Sequence, residues 1–187
     1  MIPKSRLDAL TDGVFAVAMT LLVIDLRLPE AFTAQSDGEL LHWLAGLGHQ
    51  LLVYAVSFYV LALCWMGQVR IAARSEEAGQ RHAVLALTYL LLVTLLPFST
   101  MVVGRYPHFP VAVGLYAANM IAIALVALRM LALSGDGRRS RMGLYVLIGS
   151  ALLTVALSLW LPRWAMFAYL LNLLDGPLLR WRRRRAE

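Results

Sequence analysis

The chain has 187 residues, a formal net charge of +6, 60% hydrophobic residues and only 15% charged ones. A soluble domain carries roughly a quarter charged residues, so too little polar material is present to cover a soluble surface, and that class is excluded. The positive charge does not indicate nucleic acid, because Lys and Arg lie between apolar blocks and near the C-terminus, where membrane topology places them.

Six apolar blocks follow in chain order, at about 10–28, 44–71, 84–104, 109–133, 142–161 and 164–179. Each approaches the ~20 residues that a helix needs to cross the hydrocarbon, and the sixth is the shortest. The blocks are continuous rather than alternating, which argues against a β-barrel. A continuous apolar segment in lipid must be helical to satisfy its own peptide groups. The expectation is a single all-α, polytopic domain over 1–187 with six transmembrane helices, ending in a basic cytoplasmic tail over 180–187. No cleavable signal peptide is evident, since the first block is too long and poorly flanked.

The connections fit this division. Ser75 to Gln80 is polar, Tyr106-Pro107-His108-Phe109-Pro110 is a tight turn, and Ser134-Gly135-Asp136-Gly137 leads into Arg138, Arg139 and Arg141. The longest connection, from Pro29 to Trp43, contains Glu30, Asp37 and Glu39. With a cytoplasmic N-terminus, 14 of the 17 Lys and Arg residues fall inside, and only Arg27, Arg105 and Arg163 fall outside. Both termini are therefore expected in the cytoplasm. Cys64 is the only cysteine, so no intrachain disulfide or cysteine metal cluster is possible.

The first block carries the most information. At ~100° per residue, Gly13, Val17, Leu21 and Ile24 share one helix face, with Thr20 on its shoulder and Asp12 well off it. That face has two readings: an ordinary lipid or packing stripe, or the lining of a pore in which branched side chains form a hydrophobic constriction. Asp12 also has two. An acid near the hydrocarbon boundary is costly unless wet or paired, so it is either solvated at the interface or part of a polar network holding the first helix. Arg6 lies far round the helix from it, so a link between them needs a bridging group or a helix that begins after Arg6.

The stretch Arg6-Leu7-Asp8-Ala9-Leu10-Thr11-Asp12-Gly13 resembles the first-helix signature of the transmembrane protein 175 family, Arg, three residues, then Phe-Ser-Asp. Arg6 and Asp12 are kept, while Leu10 and Thr11 replace Phe and Ser. Leu95-Leu96-Pro97-Phe98-Ser99-Thr100 is similar to the family's third-helix Leu-Pro-Phe-x-Thr stretch. Trp65-Met66-Gly67-Gln68 stands where many relatives have Trp-x-x-His, and Thr88 where relatives often have Asn. The resemblance covers the first four blocks well and the last two weakly. It implies a potassium-permeable channel of the single-repeat prokaryotic form, a homotetramer in the plasma (inner) membrane with first helices around the pore. It maps the narrowing aliphatic positions onto Val17, Leu21 and Ile24 and a pore threonine onto Thr20. The motif network would comprise Arg6, Thr11 and Asp12. Neither the family nor this chain has the Thr-Val-Gly-Tyr-Gly filter of ordinary potassium channels.

The runner-up is a secondary transporter or proton-coupled permease, which usually carries broken helices and mid-membrane ionisable groups. Asp12, Asp25 and Asp175 instead lie near span ends. No nucleophile–base constellation suggests an enzyme, and passive conduction implies no cofactor. His42, His49, His82 and His108 are scattered without ligand spacing, so no resident metal is expected, only potassium in transit. Pro97 is read as a kink or as tolerated near a helix end. Asn172 and Asp175 share a face of the sixth block. Arg180 and Arg182 to Arg185 are expected to meet anionic lipid.

Overall fold

The computed structural model describes residues 3–26, 33–72, 80–133, 138–161 and 164–174, with the side chains of 138–140 and 173–174 set aside. It is all-helical, a multi-pass membrane architecture. Helix α1 spans Lys4–Leu21 and runs on into a 3-10 turn at Leu22–Asp25. Pro3 starts it: its backbone angle is already set, and its carbonyl accepts from the Arg6 and Leu7 amides. The helix thus begins well before the expected 10, because Lys4 to Ala9 are polar enough to escape a hydropathy reading yet remain helical. Arg6 lies inside it, so a start after Arg6 is overturned.

The connection between the first two blocks contains a helix that hydropathy did not mark. Helix α2 (Asp37–Gly46) is capped by Ser36, whose hydroxyl accepts from the Glu39 amide at 3.2 Å. The Glu39 carboxylate reaches back to the Gln35 amide at 2.8 Å. Helix α3 (Gly48–Ala72) follows after Leu47 and takes the place of the span expected at 44–71.

The third expected span is two helices end to end, α4 (Gln80–Thr94) and α5 (Leu96–Arg105). Pro97 lies in the first turn of α5, where its missing N–H costs little, and it cannot continue the hydrogen-bond ladder of α4. Helix α6 (Pro110–Leu133) matches the fourth block closely, and α7 (Arg138–Ser158) covers most of the fifth. The described part of the sixth block is a 3-10 helix over Ala165–Leu174. Among the described residues, five stretches are long and apolar enough to cross a membrane: Lys4–Asp25, Gly48–Ala72, Gln80–Arg105, Pro110–Leu133 and Arg141–Ser158. Asp175 and the basic tail at 180–187, with its arginines, lie outside the described residues.

Helix α6 is the spine of the chain. It packs against α4, α5 and α7, and α7 in turn holds the 3-10 helix. Its buried face carries Val113, Tyr116, Ala117, Met120, Ile123 and Ala124, with small residues between large ones so that neighbours approach closely. Helix α1 lies to one side, seated on α4 and α3. The outward surface is rich in large apolar side chains such as Leu91, Val111 and Leu152, as a lipid-facing surface requires.

Candidate functional site

Helix α1 is seated by one face only. Leu7, Phe15, Ala18 and Leu22 are buried, and the Phe15 ring meets Tyr89 of α4 at 6.1 Å between centroids. The opposite side is bare within the chain: Val17 is 57% exposed, Leu21 42% and Ile24 59%, with Gly13 and Thr20 also exposed. Ile24 belongs to the 3-10 turn, where the 100° spacing no longer holds, yet it remains on the open side. Val23 is open there too, at 47% exposure. The Thr20 hydroxyl donates to the Val17 and Ala16 carbonyls at 2.8 and 3.1 Å. Its proton is thereby engaged, and its oxygen lone pairs are left to accept from, or coordinate, whatever lies beyond.

The signature residues point in different directions. Asp12 Oδ1 accepts a hydrogen bond of 2.8 Å from the indole nitrogen of Trp65 on α3. Thr11 is half-buried and donates to the Leu7 carbonyl at 2.9 Å. Arg6 is exposed, and among the described residues no hydrogen bond joins it to Asp12 or Thr11 within the chain. The partner of Asp12 stands 53 positions away, so sequence spacing could not reveal it; the signal was Trp65 standing in a motif of its own.

A second anchor joins α1 to α5. Arg105 donates from Nε and from a terminal guanidinium nitrogen to Asp25 Oδ1, at 3.1 and 2.7 Å. Opposite charges at the far ends of the first and third spans were the only hint. Helix α1 is therefore tied to neighbouring helices of the same chain near its middle, at Asp12, and just past its C-terminal end, at Asp25, while among the described residues its open side makes no such contact.

Near the start of α1 lies a cavity of about 320 Å³, lined in part by Asp8, Thr11 and Asp12, by Gln68 of α3, by His82 of α4 and by Met130 of α6. Gln68 is buried there and donates weakly to the Met130 sulfur at 3.8 Å. Asp8 and Asp12 are one turn apart and place negative charge in this recess, with Lys4 also in its wall. Among the described residues, no group of three His, Cys, Asp or Glu is placed to hold a metal.

The sequence profile described as the endosomal/lysosomal potassium channel TMEM175 matches residues 6–97, which include most of α1, the Trp65 motif and Pro97. A potassium channel of Streptomyces collinus is 30% identical over 103 residues, and one of Chamaesiphon minutus 32% identical over 101. A solved lysosomal potassium-selective channel TMEM175 homologue from Chamaesiphon minutus superposes with a TM-score of 0.78 at 28% identity, covering 92% of this chain and 97% of that one. Profile, prokaryotic relatives and solved structure together support the TMEM175 family for this chain. It spans about half the length of the curated prokaryotic relatives it matches, 48% and 49%. It spans 23% of the mouse endosomal/lysosomal proton channel TMEM175, to which it is 31% identical over 113 residues. The family likeness is thus densest over the first helices, while the structural likeness extends over nearly the whole chain.

Proposed function

We propose that this chain is one subunit of a homotetrameric, potassium-permeable cation channel, with α1 of each subunit facing a central pore. The observation that carries this reading is the bare side of α1. Val17, Thr20, Leu21 and Ile24 are exposed within the chain, although α1 is anchored on either side of them by Trp65–Asp12 and Arg105–Asp25. The similar proteins, two potassium channels and a potassium-selective channel of known structure, suggest the ion.

In a tetramer, Val17, Leu21 and Ile24 would each contribute a ring of four aliphatic side chains. A narrow ring of this kind offers no ligands in place of the hydration shell and so forms a barrier that opens by wetting. Thr20 would add a ring of oxygens with lone pairs free toward the ion. Arg6 and Thr11 would act at the contact between subunits and Asp12 through Trp65, so that the motif network sets assembly rather than selectivity. The described part of the sixth block would complete six membrane passes with residues beyond 174. Both termini would then be cytoplasmic, by the 14-to-3 partition of Lys and Arg. The membrane would be the plasma (inner) membrane, and Arg180 to Arg185 would meet its anionic lipid.

The test is recording from purified protein in planar bilayers under a potassium–sodium gradient, with flux from proteoliposomes alongside. A channel passes potassium down its gradient with no coupling ion. Flux that requires a proton or sodium gradient would instead favour a transporter, for which the interruption between α4 and α5 would be the structural basis.

A further inference from the structure

Away from α1, the interior holds a second polar feature. Five buried side-chain oxygens have no protein partner among the described residues: Ser57 Oγ, Thr100 Oγ1, the Tyr116 hydroxyl, Asn119 Oδ1 and the Tyr169 hydroxyl. Every one of these residues is more than nine-tenths buried. They come from α3, α5, α6 and the 3-10 helix over Ala165–Leu174.

The five belong together. Tyr116 and Asn119 are one turn apart on α6. Asn119 Nδ2 donates to Ser99 Oγ at 3.5 Å, and Thr100 is the next residue along α5. The Tyr116 and Tyr169 rings meet edge to face with centroids 5.2 Å apart. The Ser57 and Tyr116 hydroxyls face each other without closing a hydrogen bond.

A polar group buried without a partner forfeits the hydrogen bonds that water gave it, and folds seldom tolerate several in one place. The chemistry of the set narrows what could satisfy it. Four of the five atoms are hydroxyl oxygens that can donate and accept, and the fifth is a carbonyl that only accepts. No charged side chain is among them to offset the desolvation of a cation or an anion. A neutral, mixed set of this kind suits water, which needs two to four partners.

We infer that α3, α5, α6 and the 3-10 helix enclose an ordered-water site within each chain, held by Ser57, Thr100, Tyr116, Asn119 and Tyr169. A row of polar side chains leads from the recess toward the site. Cys64 and Gln68 follow Ser57 at helical spacing on α3, the Tyr89 hydroxyl sits against both, and Gln68 lines the recess near the start of α1. The site links the helix that begins after Pro97 to the central helix α6 through water, beside their direct packing and the Asn119–Ser99 contact. It stands independently of ion conduction.

Radiolytic footprinting of the full chain in nanodiscs tests this, because hydroxyl radicals formed from bound water oxidise the side chains beside it. Tyr116 and Tyr169 are expected to oxidise at rates comparable with exposed Tyr106 despite their burial. Ser57→Ala should slow Tyr116 oxidation several-fold and leave the Tyr106 rate unchanged. Thr100→Val should lower Tm, because it strips a ligand from the water while keeping the side-chain shape. In a dry site the same change removes an orphaned hydroxyl and leaves Tm unchanged or higher. Oxidation confined to Tyr106, or a Thr100→Val protein with unchanged or raised Tm, would overturn the inference.

Discussion

The Trp65 indole nitrogen donates to Asp12 Oδ1 at 2.8 Å and so couples the signature of α1 to the tryptophan motif of α3. Both residues are partly exposed within the chain, so this charge-assisted bond is worth about 1–2 kcal/mol net at most. Trp65→Phe and Asp12→Asn should each lower Tm by a few degrees in detergent. The double variant should be little worse than either single one, since both remove the same bond. Fully additive losses would show that the two residues act apart.

Asp12 is also expected to matter for assembly more than for selectivity, because it is engaged by Trp65 and lies off the Val17–Leu21 stripe. Asp12→Asn should reduce the yield of assembled oligomer on size-exclusion chromatography. Its potassium-to-sodium permeability ratio should match that of the unaltered protein. A strongly altered ratio with normal assembly would place Asp12 in the ion path.

The Asp25–Arg105 pair is a weaker clamp. Arg105 is 40% and Asp25 20% exposed in their side chains, so solvent screens the attraction, and the pair contributes about 1 kcal/mol or less. Arg105→Gln should lower Tm slightly at low ionic strength and hardly at all in high salt. The exchange Asp25→Arg with Arg105→Asp should restore most of the loss. Equal loss at every salt concentration would mean that Arg105 acts through packing.

Leu21 and Ile24 test the proposed constriction. Leu21→Ala or Ile24→Asn should widen or wet it and raise potassium leak from proteoliposomes at matched incorporation. Val14, half-buried beside the core, is the control, and its alanine variant should change stability more than flux. Val23 does not serve as a control, because the 3-10 turn leaves it open. Leu22→Ala, on the buried side, should cost about 2–5 kcal/mol with no gain in leak. Equal leak from variants on both sides would remove α1 from the pore.

Topology is checked separately. In a Cys64→Ala background, cysteines placed at Ser5 and Ala186 should stay unlabelled by an impermeant thiol reagent added to intact cells. Labelling of either from outside would reverse the proposed orientation.

The long apolar helices were legible from residue order alone, because hydrocarbon allows an uninterrupted apolar block little besides a helix. Helix α6 at Pro110–Leu133 lies within a residue of its expected start and ends where expected. The stripe of Val17, Leu21 and Ile24 was legible for the same local reason, since helical periodicity puts them on one side. Hydropathy was blind where helices are made by other means. It missed the polar first turns of α1, which Pro3 starts, and α2, which depends on the Ser36–Glu39 cap. It also merged α4 and α5 across Pro97.

Residue order by itself determined that this chain spans a membrane, roughly where its helices lie, and which side chains of α1 share a face. Only the tertiary structure decided that this face is the bare one, that Trp65 rather than Arg6 meets Asp12, and that Asp25 meets Arg105 from 80 positions away. The reason is physical. Periodicity and burial in lipid act on neighbours within a helix, whereas a partner across helices is chosen by packing angle and depth, which no local spacing encodes.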